Sequence, residues 1–204
     1  MKLTERQTAI LIGAILGDAF LQKTGKQNAR LRFEHGAAQK EYLVWKTAAF
    51  GRLFSGKLVY LERKHPKTGS VYKYYRQQSD STPIFGVWHK VFYGSGSKKI
   101  PDHIEALLKK SLSLAVWYMD DGYYYAKDRN SYIYLGRVTR TEADKASRAI
   151  ERNFKICPRV YDKKKKGFAL FFSVAETKKL LRVVSPHCIP LFAYKLGTAH
   201  SLTP

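Results

Sequence analysis

Two long apolar runs, each closing on an aspartate, dominate the chain, with shorter alternating segments between them. The first run is Leu11-Ile12-Gly13-Ala14-Ile15-Leu16-Gly17-Asp18-Ala19 and the second is Leu114-Ala115-Val116-Trp117-Tyr118-Met119-Asp120-Asp121-Gly122. Thr4 and Gln7 match a capping box, which predicts a helix from about residue 5 through to Asp18. That helix is apolar on nearly every side and must be buried. Gly13 and Gly17, four residues apart, leave a groove along it for another backbone.

A polar hairpin follows around Thr24-Gly25-Lys26. Strict alternation in Ala29–Glu34 then predicts a strand with Leu31 and Phe33 on one face and Arg30 and Arg32 on the other. Residues 37–54 follow helical spacing. Two strands, Lys57–Arg63 and Val71–Gln77, are joined by the turn formers of 65–69, and a helix spans Pro83–Phe92. Gly94-Ser95-Gly96-Ser97 reads as a loop rather than a domain linker.

The second half repeats this order. A helix over 112–121 leads into a tyrosine-rich hairpin from Gly122 to Arg137, with Tyr132 and Tyr134 opposite Ile133 and Leu135. A helix over Thr141–Asn153 is expected to start on Thr141, with Glu142 and Asp144 in its first turn. Strands Cys157–Tyr161 and Phe168–Ser173 flank the Lys163–Lys166 run, and a helix covers Ala175–Val184. Each half reads αββαββα, an α+β fold with residues 1–97 and 98–204 as pseudo-symmetric halves. Two four-stranded antiparallel sheets, each with helices on one face, would form a concave saddle.

Asp18 and Asp121 stand 103 residues apart, about half of the 204-residue chain. A duplication would set these two carboxylates across a pseudo-twofold axis, where they make a cation site.

Charge supplies the partner. Lys and Arg number 37 against 16 Asp and Glu, a net charge of +21, which calls for a polyanion, nucleic acid first. No apolar run reaches the roughly 20 residues that span a bilayer, so no membrane partner is expected. The N-terminal residues lack a signal-peptide layout, giving an intracellular expectation, organelle or prokaryotic cytoplasm. Cys157 and Cys188 are isolated and read as buried thiols of a reducing compartment. His35, His65, His89, His103, His187 and His200 do not cluster in sequence, so no histidine is assigned to a metal or to catalysis.

These residues resemble the LAGLIDADG homing endonucleases, of the single-chain, two-motif, intron-encoded type. Beside the two motifs, the resemblance is carried by Phe20, Phe33-Glu34, Lys98-Lys99-Ile100-Pro101 and Ile189-Pro190 leading to Tyr194-Lys195-Leu196, close to the full length. Two departures stand out: Val116 replaces the usual small interface residue, and Ala19 replaces the last glycine of the first motif.

The resemblance implies a monomeric, metal-dependent endonuclease that cuts both strands of a long asymmetric DNA site across the minor groove, as in intron homing. It makes Asp18 and Asp121 the catalytic metal ligands, with Asp121 preferred over Asp120. They would share two or three Mg²⁺ ions, with Mn²⁺ able to substitute. Lys98, or its neighbour Lys99, and Lys195 fall 80 and 74 residues after the two aspartates, where the family carries basic residues around the active centre.

Strand alternation offers Arg30, Arg32, Lys73, Tyr75, Arg137 and Arg159 to DNA, and Lys163, Lys164, Lys165 and Lys166 form a hairpin tip that grips backbone. The alternatives are an intron RNA maturase, which would leave the aspartates idle, and a catalytically inactive DNA-binding derivative.

Overall fold

The computed structural model describes residues 2–94 and 96–197; Ser95 of the Gly/Ser loop and His200 lie outside the described residues. Helix α1 (Glu5–Leu16) is followed by β1 (Phe20–Lys23), β2 (Ala29–Gly36), α2 (Lys40–Phe50), β3 (Val59–Lys64), β4 (Val71–Gln78) and α3 (Pro83–Tyr93). After a one-turn helix, α4 (Ile104–Leu107), the order repeats as α5 (Ser111–Asp121), β5 (Gly122–Tyr125), β6 (Asn130–Gly136), α6 (Arg140–Phe154), β7 (Arg159–Asp162), β8 (Phe168–Phe172) and α7 (Val174–Val184). The strands form two antiparallel sheets of the same order, β1-β2-β4-β3 and β5-β6-β8-β7. This is the α+β architecture that the pattern of apolar positions predicts.

Helix α1 begins on the predicted capping box: Thr4 Oγ1 accepts from the Gln7 N–H, and Gln7 Oε1 accepts from the Thr4 N–H at 2.9 Å. Residues Ala9 to Ile15 are all buried because α5 covers one side and the first sheet with α2 and α3 the other. Its glycines allow the close crossing. A Cβ on Gly13 would strike the Ser113 carbonyl and come 2.8 Å from Val116 Cβ, and one on Gly17 would lie 2.5 Å from Asp120 Cβ. The bulk of Val116 is therefore absorbed by the missing side chain of Gly13, its partner at the same motif position.

The sheets sort their residues by parity. In the first, Leu31 and Phe33 are fully buried with Leu11, Leu43, Phe50 and Phe85. In the second, Ile133 and Leu170 pack with Trp117, Ile150 and Leu180. The opposite face of each sheet is the open one.

Several expectations are corrected. Helix α1 stops at Leu16, so Asp18 stands past its end, whereas Asp121 is the last residue of α5. Helix α6 is capped by Thr139, not Thr141: Thr139 Oγ1 accepts from the Glu142 N–H and the Glu142 carboxylate from the Thr139 N–H. The predicted 37–54 helix is α2 flanked by single 3₁₀ turns. Cys157 is exposed because β7 begins only at Arg159, leaving the cysteine on the loop after α6; Cys188 is partly buried.

Candidate active site and nucleic-acid interface

The C-terminal ends of α1 and α5 meet, and the motif aspartates come with them. The Asp18 N–H donates to Asp120 Oδ2 at 3.3 Å, across the interface between the motifs. Each helix end is closed by a lysine. Lys98 Nζ donates to the Gly17 carbonyl at 2.6 Å, and Lys195 Nζ to the carbonyls of Met119 at 2.6 Å and Asp120 at 3.3 Å. An ammonium on the last carbonyls complements the negative end of the helix dipole. The choice between Lys98 and Lys99 is settled for this contact, since it is Lys98 that reaches Gly17.

Asp18 leaves 51% of its side chain open to solvent. Desolvation by the crowded helix ends, and then the Asp120 carboxylate, raise its pKa against the pull of Lys46, Lys98 and Lys195. Asp121 is pushed up further, by burial first and then by Asp18 and Asp120. The negative charge crowded at the two helix ends suits a cation. Desolvation lowers the pKa of both Lys98 and Lys195, while the three aspartates pull the other way.

Asp120 does not share this exposure. Its Oδ1 takes a hydrogen bond from Lys46 Nζ at 3.0 Å, and neither side chain has any accessible surface. The Lys46 ammonium also lies over the rings of Tyr42 and Phe33, 4.2 and 4.9 Å from their centroids. Sequence reading missed Lys46, because a lysine on an otherwise apolar helix face reads as a snorkelling surface residue until its buried partner is known.

The expectation of no site histidine is corrected as well. His35 Nδ1 sits 4.0 Å from Asp18 Oδ2, and Asp18, His35 and Asp120 bring ligand atoms within 4.8 Å of one another. Burial, then the Lys46 charge, lower the His35 pKa to about 4, so the ring is neutral near pH 7. The alternation of β2 carried the available signal: His35 has the parity of Leu31 and Phe33, pointing it inward at the strand end nearest Asp18.

The strand registers place the proposed DNA contacts. Glu34 is opposite Arg76 and Arg32 opposite Gln78, so Arg30, Arg32, Glu34, Tyr74, Arg76 and Gln78 share the open face. Arg30 donates to Gln78 at 3.1 Å, and Glu34 bridges Arg63 and Arg76. Lys73 and Tyr75 do not join them. Tyr75 is opposite His35, which puts both residues on the reverse face, where Lys40 of α2 lies over the Tyr75 ring. Alternation alone orients β2 correctly, but the parity of β4 depends on its register against β2, which local sequence leaves free.

In the second sheet Arg159 and Tyr161 share the open face with Phe171, Tyr132, Tyr134, Tyr123 and Tyr125. Lys163 joins it, its ammonium 4.4 Å from the Tyr132 ring centroid, and Lys164, Lys165 and Lys166 form the exposed turn beyond β7. Arg137 lies exposed in the connection after β6, past the end of the strand.

Comparison with known proteins agrees with this arrangement. The profile described as the LAGLIDADG DNA endonuclease family matches residues 8–180. The chain is 29% identical to the RecA protein of Mycobacterium shimoidei over 95% of its own length and 47% of that protein's, so it spans about half the length of this relative. It is 23% identical to the cytochrome b mRNA maturase bI2 of Debaryomyces hansenii, over 96% of the chain and 75% of the maturase. Among solved structures it is similar to the homing endonuclease I-WcaI bound to its DNA recognition sequence, with TM-score 0.88, 23% identity and coverage of 96% and 88%. It is also similar to I-DmoI in complex with DNA and Mn, with TM-score 0.56, 14% identity and coverage of 90% and 98%. Among the described residues no helix is long and apolar enough to cross a membrane.

Proposed function

Because the chain belongs to the LAGLIDADG DNA endonuclease family, we propose that it is a site-specific homing endonuclease cutting both strands of a long duplex site across the minor groove, with Asp18 and Asp121 as the paired metal ligands. One observation carries this reading: both motif aspartates stand at the joined ends of α1 and α5, each beside a lysine bound to the last carbonyls of its helix. The complexes of I-WcaI with DNA and of I-DmoI with DNA and Mn support the substrate and the metal requirement.

The donor set fits hard dications. Mg²⁺ accepts one or two carboxylates and completes its shell with water and phosphate oxygens, and Mn²⁺ takes the same donors. When bound, such ions lower the pKa of water and stabilise the leaving 3′ oxygen. Asp18 and Asp121 would hold these ions. Lys98 and Lys195, with ammonium groups at the two helix ends, face the negative charge that grows on the phosphate.

The open faces of the sheets carry recognition. In this reading Arg30, Arg32 and Arg159 reach base edges, and Lys163 to Lys166 grip the backbone. The first face is lined by guanidinium and amide groups and the second largely by tyrosines, so the two half-sites differ in sequence, and one chain with residues 1–97 and 98–204 as its halves suffices as a monomer.

The test is to incubate the protein with a randomised duplex library and Mg²⁺, beside an Asp18→Asn control, and sequence the cut ends. One enriched long site with staggered ends in the wild type alone is expected. Absence of any cut site would overturn the reading, and tight binding to structured intron RNA in its place would assign the maturase role that the bI2 relative carries.

A further inference from the structure

The two halves share a fold, yet their aspartates have different neighbours. At the same motif position, Asp120 of the second half corresponds to Gly17 of the first. In the sheets Phe20 pairs with Arg32, which sets Ala19 level with Phe33, as Gly122 pairs with Ile133. Two residues further along each strand, His35 corresponds by count to Leu135, which stands at a register shift between β6 and β8. Both departures from symmetry put a polar group beside Asp18.

Of the three clustered groups, Asp120 is already engaged at both oxygens. Oδ1 is held by Lys46 and Oδ2 by the Asp18 N–H. Asp18 and His35 are differently placed. The His35 side chain is only 2% exposed, its Nδ1 lies 4.0 Å from Asp18 Oδ2, and its Nε2 has no hydrogen-bond partner. At 4.0 Å no hydrogen bond joins ring and carboxylate. The ring also has a side-chain hydrogen bond with Gln39, and Nδ1 is the ring atom that faces the Asp18 carboxylate.

The spacing suits an ion between them. Two donors each about 2.1 Å from one dication can stand up to about 4.2 Å apart. A cleft of about 330 Å³, lined by Asp18, Phe20, Arg32, Glu34, His35 and Tyr74 among others, opens alongside with room for the ion's waters.

Resting on the endonuclease reading for a dication at Asp18, we propose that His35 Nδ1 is a second protein ligand to that ion. The Asp18 side is then a mixed nitrogen and oxygen site that takes first-row transition dications more tightly than Mg²⁺. The Asp121 side, with Leu135 in place of the imidazole, keeps the oxygen-only preference. An imidazole ligand moves selectivity in this direction because Mg²⁺ favours oxygen donors, whereas affinity for nitrogen-containing sites rises from Mn²⁺ towards Co²⁺ and Ni²⁺.

The experiment is an electron paramagnetic resonance titration of the whole protein with Mn²⁺ in the absence of DNA, with electron spin-echo modulation to detect directly bound nitrogen. Wild type is expected to hold one Mn²⁺ showing ¹⁴N coupling. His35→Leu, which copies the second half, should lose the coupling and weaken binding on the order of tenfold or more. His35→Gln, which keeps a polar side chain of similar size, guards against loss of folding and should lose the coupling too.

Bound Mn²⁺ without nitrogen coupling, an affinity unchanged by His35→Leu, or no bound Mn²⁺ at millimolar ion would each overturn the assignment. The readout is independent of cleavage. Nitrogen-bound Mn²⁺ in a protein that cuts no duplex would count against the endonuclease reading alone.

Discussion

Lys46 and Asp120 form an ion pair of 3.0 Å with no accessible surface on either side chain, joining α2 of the first half to the motif helix of the second. Removing one partner strands a buried charge. Lys46→Met should destabilise the fold by about 3–5 kcal/mol. Lys46→Met combined with Asp120→Leu should recover most of that loss, short of the bond to the Asp18 N–H, worth about 1 kcal/mol. Urea denaturation of the two single variants and the double variant measures the coupling; additive losses would show that the pair does not interact.

Lys195 Nζ is buried on two backbone carbonyls, whereas Lys98 binds one and is the more exposed residue. Lys195→Met should therefore cost stability, about 1–3 kcal/mol from the unsatisfied carbonyls, and Lys98→Met less. Both should slow cleavage by on the order of 10²-fold if the ammonium groups face the reacting phosphate, with duplex affinity nearly unchanged. Denaturation midpoints and single-turnover rates on the same preparations separate the two effects.

Gly17→Ala would place a methyl group 2.5 Å from Asp120 Cβ, while a Cβ on Gly25 meets nothing within 4 Å. The first substitution should cost about 1–3 kcal/mol by forcing the motif helices apart; the second should be close to neutral. Equal losses at the two positions would contradict the close crossing of α1 and α5.

Glu142 links stability to pH. Burial pushes its pKa up, but the N–H and hydroxyl of Thr139 and the N–H of Ile100 outweigh this and hold the carboxyl below its ordinary range. Its folded pKa being depressed, its stabilisation is present above the unfolded glutamate value near 4.5 and is lost as pH falls through the lower folded one. Glu142→Gln should flatten the acid side of the stability profile, as pH falls below the unfolded glutamate value. Thermal melts across that range check it.

DNA affinity should fall steeply with salt. Replacing Lys164, Lys165 and Lys166 together by Gln should reduce the slope of log affinity against log salt by roughly 0.9 for each phosphate no longer neutralised. Lys73→Gln should leave the slope nearly unchanged, because Lys73 stands on the reverse face with Tyr75. Fluorescence anisotropy on one duplex at several salt concentrations distinguishes them.

The sequence by itself determined the elements, their duplicated order, the closely packed motif helices and the candidate aspartates Asp18 and Asp121. These depend on local periodicity: an all-apolar helix has to be buried, and a strand such as Ala29–Gly36 must turn alternate residues inward. The lysine offsets likewise pointed to Lys98 and Lys195, since each half folds the same way. Only the tertiary structure decided which polar groups meet. The register of β4 turned Lys73 and Tyr75 to the back, the crossing of α1 and α5 delivered Asp120 to Lys46 and to the backbone of Asp18, and the inward parity of β2 brought His35 to Asp18. Such contacts join residues 17 to 102 positions apart, and their geometry follows from how whole elements pack, which no short window of sequence contains.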